Sequence, residues 1–179
     1  MATLTAEESL NYLYSLIPKG IKLGLKNISA VLNELGNPQL NTPSIHIAGT
    51  NGKGSTAAFC ESILRNAGYK VGLYTSPHLN HFGERIQINR IPLSESEVIQ
   101  LVAKVKNVVE NLKIPITFFE FGTAMAFLHF AEQETDINII EVGMGGRLDA
   151  TSLCKSDTTI ITSIAKDHTS YLGNKIEEI

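Results

Sequence analysis

A glycine-rich segment with one lysine is the first stretch of this sequence that could do chemistry. The segment HIAGTNGKGS, residues 46–55, places Lys53 between two glycines, directly after a short apolar run. Such a loop lets backbone N–H groups point at phosphate oxygens, and a following helix adds the positive end of its dipole. Lys53 would supply a counter-charge, and Ser55 or Thr56 could offer a hydroxyl to Mg²⁺. The spacing departs from G-x-x-x-x-G-K-[ST], yet the pattern favours phosphate binding over a simple tight turn.

A carboxylate inside an apolar run is the second candidate. Glu141 follows Ile139 and Ile140 in the segment INIIEV. An unpaired buried charge is costly, so this carboxylate needs an ion pair or a bound cation. Mg²⁺ takes one or two carboxylates together with water and phosphate oxygens, and we favour that role over a structural salt bridge. The next segment, GMGGRLDAT, adds Arg147 and Asp149 on what we expect to be a flexible turn, with a solvated turn as the alternative.

Two further polar positions follow apolar runs. Ser76 comes directly before Pro77. Either the proline simply ends the strand, or the serine oxygen faces a binding site, and the sequence supports both interpretations equally. Asp167 and His168 follow TTIITSI, and we expect them to close that strand in the position equivalent to Glu141. The remaining histidines are interpreted as loop, surface or packing residues: His46, His78, His81 and His129.

Alternating strands and helices must bring these positions together. Apolar runs predict strands at SIHIAG, KVGLYTS, INIIEV and TTIITSI, and helical periodicity predicts helices before the first strand and between the first three. Capping boxes predict two of the helix starts, at TAEE and SESE, and Gly36 and Gly68 predict two helix ends. The alternation predicts an α/β domain with a mostly parallel sheet flanked by helices. Ligands of such sheets bind beyond the carboxyl ends of the strands, so the sequence predicts one Mg-nucleotide crevice.

Composition narrows the class of protein. The chain has 179 residues, 43% hydrophobic and 18% charged, which is typical of one globular domain. A net charge of −3 provides no basic footprint for nucleic acid. No apolar run approaches the ~18 residues of a spanning helix, and the N-terminus lacks a signal-peptide pattern. We therefore expect a soluble cytoplasmic protein without a nucleic-acid or membrane partner.

Five segments in order resemble the folylpolyglutamate synthase/dihydrofolate synthase family of the Mur ligase superfamily. They are GLKNISAVLNELGNPQ, HIAGTNGKGS, LYTSPHL…ERI, EVGMGGRLDAT and TSIAKDHTSYLG, which cover the chain from about Gly20 onward. The resemblance implies the P-loop NTPase-like central domain of a Mur ligase, with ATP and Mg²⁺ as cofactors and a monomeric state. It implies an ATP-dependent amide ligase, in which ATP phosphorylates a carboxylate of dihydropteroate or a reduced folate and L-glutamate attacks the acyl phosphate.

The resemblance also implies a role for each matching residue. Lys53, Glu141 and His168 would be catalytic, and Mg²⁺ would be bound by Ser76, Glu141 and His168. An aromatic side chain such as Phe119 can stack on a flat pterin ring. The phosphates of ATP would contact Gly49, Thr50, Asn51, Gly52, Lys53, Gly54 and Ser55. The acceptor would contact Thr117, Phe118, Phe119, Glu120, Leu148, Asp149 and Ala150.

Members of the family are much longer than this chain. We therefore expect residues 1–179 to be a truncated ATP-binding domain, inactive alone, without the C-terminal glutamate-ligase domain and the carbamylated lysine that binds a second metal ion. Two alternatives stay open. One is an ATP-binding or regulatory module without ligase activity. The other is a Mur-type ligase with a non-folate acceptor, against which TFFE and RLDAT argue. The motifs do not separate dihydrofolate synthase from folylpolyglutamate synthase activity.

Overall fold

Six strands form one mixed sheet in the computed structural model, which describes residues 5–20 and 23–179. The strand order is β4-β3-β2-β5-β1-β6. The four predicted strands, β1, β2, β5 and β6, run parallel to one another, which confirms the mostly parallel sheet. The bounds are β1 Ser44–Ala48, β2 Val71–Tyr74, β3 Ile86–Ile88, β4 Ile91–Pro92, β5 Ile137–Glu141 and β6 Ser156–Ile161.

Helices cover both faces of this sheet. Alternate residues of β5 show the division, because Ile139 packs in the core under α3 whereas Ile140 packs in the larger core with α1, α2, α4 and α5. Burial on both faces explains why β1, β2 and β5 read as continuous apolar runs, whereas β6, at the edge of the sheet, is largely exposed. The helix bounds are α1 Ala6–Ser15, α2 Lys26–Glu34, α3 Lys53–Asn66, α4 Glu95–Leu112, α5 Phe118–Glu132 and α6 Thr169–Leu172. None of the helices in the described ranges has the length and apolarity that crossing a bilayer requires.

Local sequence signals set the ends of most helices. The capping boxes predicted at the starts of α1 and α4 are both formed, and α5 begins with a third. Gly36 and Gly68 follow the ends of α2 and α3 with φ of 82° and 94°, as expected for glycine beyond a helix C-cap. α5 is buried from Glu120 to Phe130, so it is the central helix of the larger core.

The β3–β4 hairpin was not predicted from the sequence. Its two-residue turn, Asn89-Arg90, has φ of 50° and 67°, which is the left-handed conformation of a type I′ turn. The side chain of Asn89 accepts a hydrogen bond from the N–H of Val71 (2.9 Å), which ties the turn to β2. Strands this short, joined by Asn-Arg instead of Asn-Gly, give little periodic signal.

Candidate functional site

A cavity of about 400 Å³ lies where the chain leaves β1, β2 and β5. It brings together three of the four polar positions singled out from the sequence, Lys53, Ser76 and His168, and the fourth, Glu141, accepts a hydrogen bond from the N–H of Ser76 (3.0 Å). The remaining lining residues are Gly20, Leu23, Gly24, Pro77, Arg85, Thr117, Phe119, Glu120, Gly143, Met144, Leu148, Asp149 and Ala150.

The glycine-rich loop between β1 and α3 is held closely against the chain that follows β6. Gly49 has φ of 134°, and a Cβ at this position would collide with the hydroxyl of Thr162. The N–H of Thr50 donates to the carbonyl of Ser163 (2.7 Å). Gly52 is the N-cap of α3 with φ of 88°. The first N–H groups of α3 have no acceptor inside the helix, so this end of α3 is suited to an anion.

Lys53 is the first residue of α3 and is half-buried at the cavity wall. Its ammonium group donates to the carbonyl oxygens of Gly49 (2.7 Å) and Thr50 (3.3 Å). Across residues 5–20 and 23–179, Lys53 forms no ion pair with a carboxylate. Its charge is therefore not neutralised within the described chain and can interact with a phosphate.

Glu141 is the last residue of β5 and is 5% exposed. Burial raises the pKa of its carboxyl above the ordinary value, against the opposing effects of the Ser76 N–H and the positive charges of Lys53 and Arg85. A Cβ on Gly54 would lie 3.7 Å from Oε1 of Glu141, so the first turn of α3 passes directly beside the carboxylate. Glu141 thus lies between the glycine-rich loop and Ser76.

Ser76 and Glu141 form a donor set that fits Mg²⁺. Hydroxyl and carboxylate oxygens are hard ligands, and Mg²⁺ needs one or two carboxylates when water and phosphate oxygens complete its octahedron. In the part of the chain that the structure describes, no group of three or more His, Cys, Asp and Glu side chains could hold a metal ion by itself. The set therefore fits a metal that arrives with a phosphate better than a permanent protein-only site.

The expectation that His168 closes the fourth strand was wrong. β6 ends at Ile161, and His168 caps α6 with a left-handed φ of 49°. The intervening chain runs along the glycine-rich loop, where Asn51 and Ser163 form an antiparallel bridge, before it turns back. His168 still lines the cavity, and its Nε2 lies 3.8 Å from the carboxylate of Asp167.

The predicted acceptor residues divide into two groups. Six of them line the cavity, whereas Phe118 does not and packs edge-on against Phe82 at 5.9 Å between ring centroids. Thr117 and Glu120 form the buried capping box of α5, with their side-chain oxygens 2.8 Å apart. The substrate contacts of all seven remain predictions. The six that line the cavity are Thr117, Phe119, Glu120, Leu148, Asp149 and Ala150.

Asp149 is a fixed residue, which corrects the expectation of a flexible or solvated turn. It is 5% exposed and accepts hydrogen bonds from the N–H of Met144 (3.0 Å) and from the N–H and hydroxyl of Thr151 (3.0 and 2.5 Å). These bonds fold the segment back over itself, and Arg147 is left exposed. Burial raises the pKa of the Asp149 carboxyl.

His46, in β1, contacts the hydroxyl of Thr151 that binds Asp149. Its Nε2 lies 2.8 Å from the hydroxyl of Thr151, and that hydroxyl donates its single hydrogen to Asp149. The hydroxyl must therefore accept from His46, so Nε2 of the imidazole carries a hydrogen. The interpretation of His46 as a packing residue agrees with its 8% exposure.

His46 should make the stability of the protein depend on pH. Burial lowers the pKa of His46, whereas an unfolded histidine has a pKa of about 6.5. The unfolded chain then binds more protons, so the contribution of His46 to stability is complete above about pH 6.5 and is lost as the pH falls below it. We expect the free energy of unfolding, measured with urea, to fall less between pH 7.5 and 5.5 in His46→Gln than in the wild type. Equal slopes for His46→Gln and the wild type would contradict the prediction.

Arg85 is a cavity residue that the sequence did not reveal. It is 9% exposed, and its Nε donates to Nδ1 of His78 (2.7 Å). Its segment, ERI, contributed to the family resemblance. Arg85 ends a 3₁₀ turn and does not follow a strand, so a search of the residues after predicted strands does not find it. His78 lies in a loop, as interpreted, and burial together with Arg85 lowers its pKa.

Comparisons with known proteins agree with this geometry. The Mur ligase middle domain family matches residues 47–179. The "Dihydrofolate synthase/folylpolyglutamate synthase" of Bacillus subtilis is 44% identical over 178 residues, which are 97% of this chain and 41% of that protein. A structure of "E.coli FolC in complex with DHPP and ADP" superposes with a TM-score of 0.91 at 41% identity, over 98% of this chain and 42% of that one.

A structure described as an "FPGS-AMPPCP-folate complex" also has a TM-score of 0.91, at 35% identity, over 98% of this chain and 44% of that one. The chain thus spans about two-fifths of the length of the relatives it matches. The family match covers the glycine-rich loop, Ser76, Glu141 and all of the cavity lining except Gly20, Leu23 and Gly24. The α/β sheet, the phosphate-type loop and this match together show that the chain belongs to the Mur ligase middle domain family.

Proposed function

We propose that this chain is the ATP-binding domain of an ATP-dependent ligase that joins L-glutamate to dihydropteroate, to a reduced folate or to both. The observation that carries the proposal is one cavity that joins Lys53 and Ser76, beside the glycine-rich loop, to the aromatic ring of Phe119. The relatives named for dihydrofolate and folylpolyglutamate synthase support it, as does the FolC structure with DHPP and ADP. A monomeric state and a cytoplasmic location are further predictions of this proposal.

On the nucleotide side, the chain would bind the phosphates of ATP with the loop from Gly49 to Ser55. The dipole of α3 and the ammonium group of Lys53 would stabilise the charge that spreads over the phosphoryl group during transfer. Ser76 and Glu141, with His168 as a further predicted ligand, would hold Mg²⁺, which when bound would supply positive charge to the transferring phosphoryl group. The close contact between Glu141 and the start of α3 supports this division of roles.

On the acceptor side, the cavity suits a flat heteroaromatic ring. Phe119, Met144 and Leu148 give it apolar walls, while the buried carboxylates of Glu120 and Asp149 can accept hydrogen bonds. Aromatic stacking with a few fixed polar groups is a common arrangement in small-molecule sites. The pterin ring would lie here, and the carboxylate at the other end of the acceptor would be directed toward the nucleotide side of the cavity.

The position of Phe119 depends on Gly143. A Cβ on Gly143 would lie 2.5 Å from Cζ of the Phe119 ring, so Gly143→Ala must displace the ring. We expect roughly 3- to 10-fold weaker binding of the acceptor, measured by isothermal titration, because stacking is lost. ADP binding should be unchanged. Gly146→Ala is the matched control, since a Cβ there meets nothing within 4 Å; equal acceptor affinities for the two variants would contradict the prediction.

One incubation tests the proposed function. The complete natural protein is given Mg-ATP, L-glutamate, dihydropteroate and tetrahydrofolate, and the products are identified by mass spectrometry. Glutamylated dihydropteroate, extended tetrahydrofolate or both would support the proposal and assign the activity. Nucleotide binding without a glutamylated product would favour an ATP-binding or regulatory module. Binding of nucleotide without binding of either pterin would favour a Mur-type ligase with another acceptor.

A further inference from the structure

Arg85 is a buried arginine that faces the central cavity. Its side chain is held on two sides, by the hydrogen bond from Nε to His78 and by the Phe118 ring, whose centroid lies 5.2 Å from Cζ. Among the described residues it forms no ion pair, in contrast to Arg65 and Arg90, which both pair with a buried glutamate. A buried guanidinium without a carboxylate partner is unusual, because burying an unpaired charge is costly.

The terminal nitrogens of Arg85 are available to a ligand. Nε is the one nitrogen of this side chain with a hydrogen-bond partner in the described part of the chain. The fully enclosed side-chain atoms without a partner in that part are Oε1 of Gln39 and Oε2 of Glu61, so no nitrogen of Arg85 is sealed in the core. Arg85 lines the cavity, and its terminal N–H groups form a fork that matches a carboxylate.

The carboxylates near the cavity already have other partners. Glu120 accepts from Thr117 (2.8 Å), Asp149 from Thr151 and Met144, and Glu141 from the N–H of Ser76 (3.0 Å). The cavity wall therefore presents two cations, Lys53 and Arg85, that the described chain does not neutralise by ion pairs. One of them follows the glycine-rich loop, where the nucleotide phosphates would bind. The other needs an anion that enters with the second substrate.

We propose that Arg85 binds the carboxylate of the acceptor that is to be phosphorylated. The inference rests on the proposed function and adds a residue that recognises and orients the reacting group. Arg85 lines the same cavity as Lys53 and Ser76, so the guanidinium and the phosphate-binding residues share one space. A two-pronged contact would use one lone pair of each carboxylate oxygen, orient the group, and leave a second lone pair on each oxygen for attack on the phosphoryl group.

Equilibrium binding to the complete natural protein tests this role without turnover. The ligands are pteroate and its primary carboxamide, which differ in the charge of one group, and their affinities are measured by isothermal titration. We expect the wild type to prefer the acid by roughly 10- to 100-fold, as for a hydrogen-bonded charge. Arg85→Gln should lose most of that preference and bind the carboxamide as the wild type does. Arg85→Lys should retain an intermediate preference. Arg147→Gln, at an exposed arginine outside the central cavity, should behave as the wild type.

The outcomes separate this inference from the proposed function. An Arg85→Gln protein that keeps the full preference for pteroate over its carboxamide would overturn the inference and leave the proposed function standing. A loss confined to the α-carboxylate of folate, seen when folate is compared with its α-carboxamide and not with its γ-carboxamide, would also overturn it, since the α-carboxylate is not the group that is phosphorylated. A wild type that binds neither pterin would reject both proposals. If circular dichroism shows that Arg85→Gln is unfolded, the Arg85→Lys variant decides by the same ratio.

Discussion

Replacing Lys53 with methionine is expected to lower the kcat of glutamate ligation by roughly 10²- to 10³-fold, which is the effect of removing one preorganised charge from a transition state. Methionine keeps the length of the side chain and removes the ammonium group. Because Lys53 forms no ion pair among the described residues, the substitution removes no salt bridge from the fold. It does remove the two hydrogen bonds from the half-buried ammonium group to the carbonyl oxygens of Gly49 and Thr50, so the free energy of unfolding should fall by about 1 to 3 kcal/mol. Single-turnover assays with saturating ATP and chemical denaturation measure the two quantities.

Lys155→Met is the matched control for Lys53. Lys155 is an exposed lysine just before β6, at the opposite end of the strands from the cavity. This variant should retain wild-type turnover and ATP affinity. If Lys53→Met also kept turnover within about threefold of the wild type, the glycine-rich loop would not be the catalytic phosphate site, and the assignment of the nucleotide side would fail.

The parallel strands could be predicted because the hydrophobic pattern and the helix start and stop signals indicate the same alternation of strands and helices. The apolar runs of β1, β2 and β5 require burial on two faces, and the helices between them carry their own caps and stops. The β3–β4 hairpin could not, because it consists of five strand residues and its turn is specified by the conformations of Asn89 and Arg90. Backbone angles of this kind are fixed by packing against β2 more than by local preference.

The candidate site residues at the ends of strands could be predicted from the sequence. Those that reach the cavity through loops or turns could not. Lys53 and Ser76 follow β1 and β2, and Glu141 ends β5 between those two strands, so the sheet alone brings them together. His168 reaches the cavity through a loop, and Arg85 reaches it from a 3₁₀ turn. The burial of Asp149 depends on hydrogen bonds from Met144 and Thr151 that no spacing reveals. Long-range contacts of this type depend on the folded arrangement.

Glu141→Gln is expected to separate function from stability. The substitution removes the carboxylate that would hold Mg²⁺, so we expect kcat to fall by roughly 10²- to 10³-fold and the Mg²⁺ concentration for half-maximal rate to rise. Glutamine keeps an oxygen that can accept the hydrogen bond from the N–H of Ser76 (3.0 Å in the wild type). Lys53→Met, by comparison, should lower kcat with a smaller change in the Mg²⁺ requirement. Initial rates measured across a Mg²⁺ titration distinguish the two variants.

The same substitution should leave the metal-free protein at least as stable as the wild type at pH 7 to 8. Burial raises the pKa of Glu141, so the folded state binds a proton more readily than the unfolded state, whose pKa is about 4.3. The wild type therefore loses stability as the pH rises through the interval between the unfolded and folded pKa values, and Glu141→Gln does not. We expect the difference in free energy of unfolding to favour the variant increasingly from pH 4.5 to pH 7.5 in EDTA. A variant that is less stable at pH 7.5 would mean that the carboxylate stabilises the fold through its partners, and the burial of Glu141 would then be structural instead of functional.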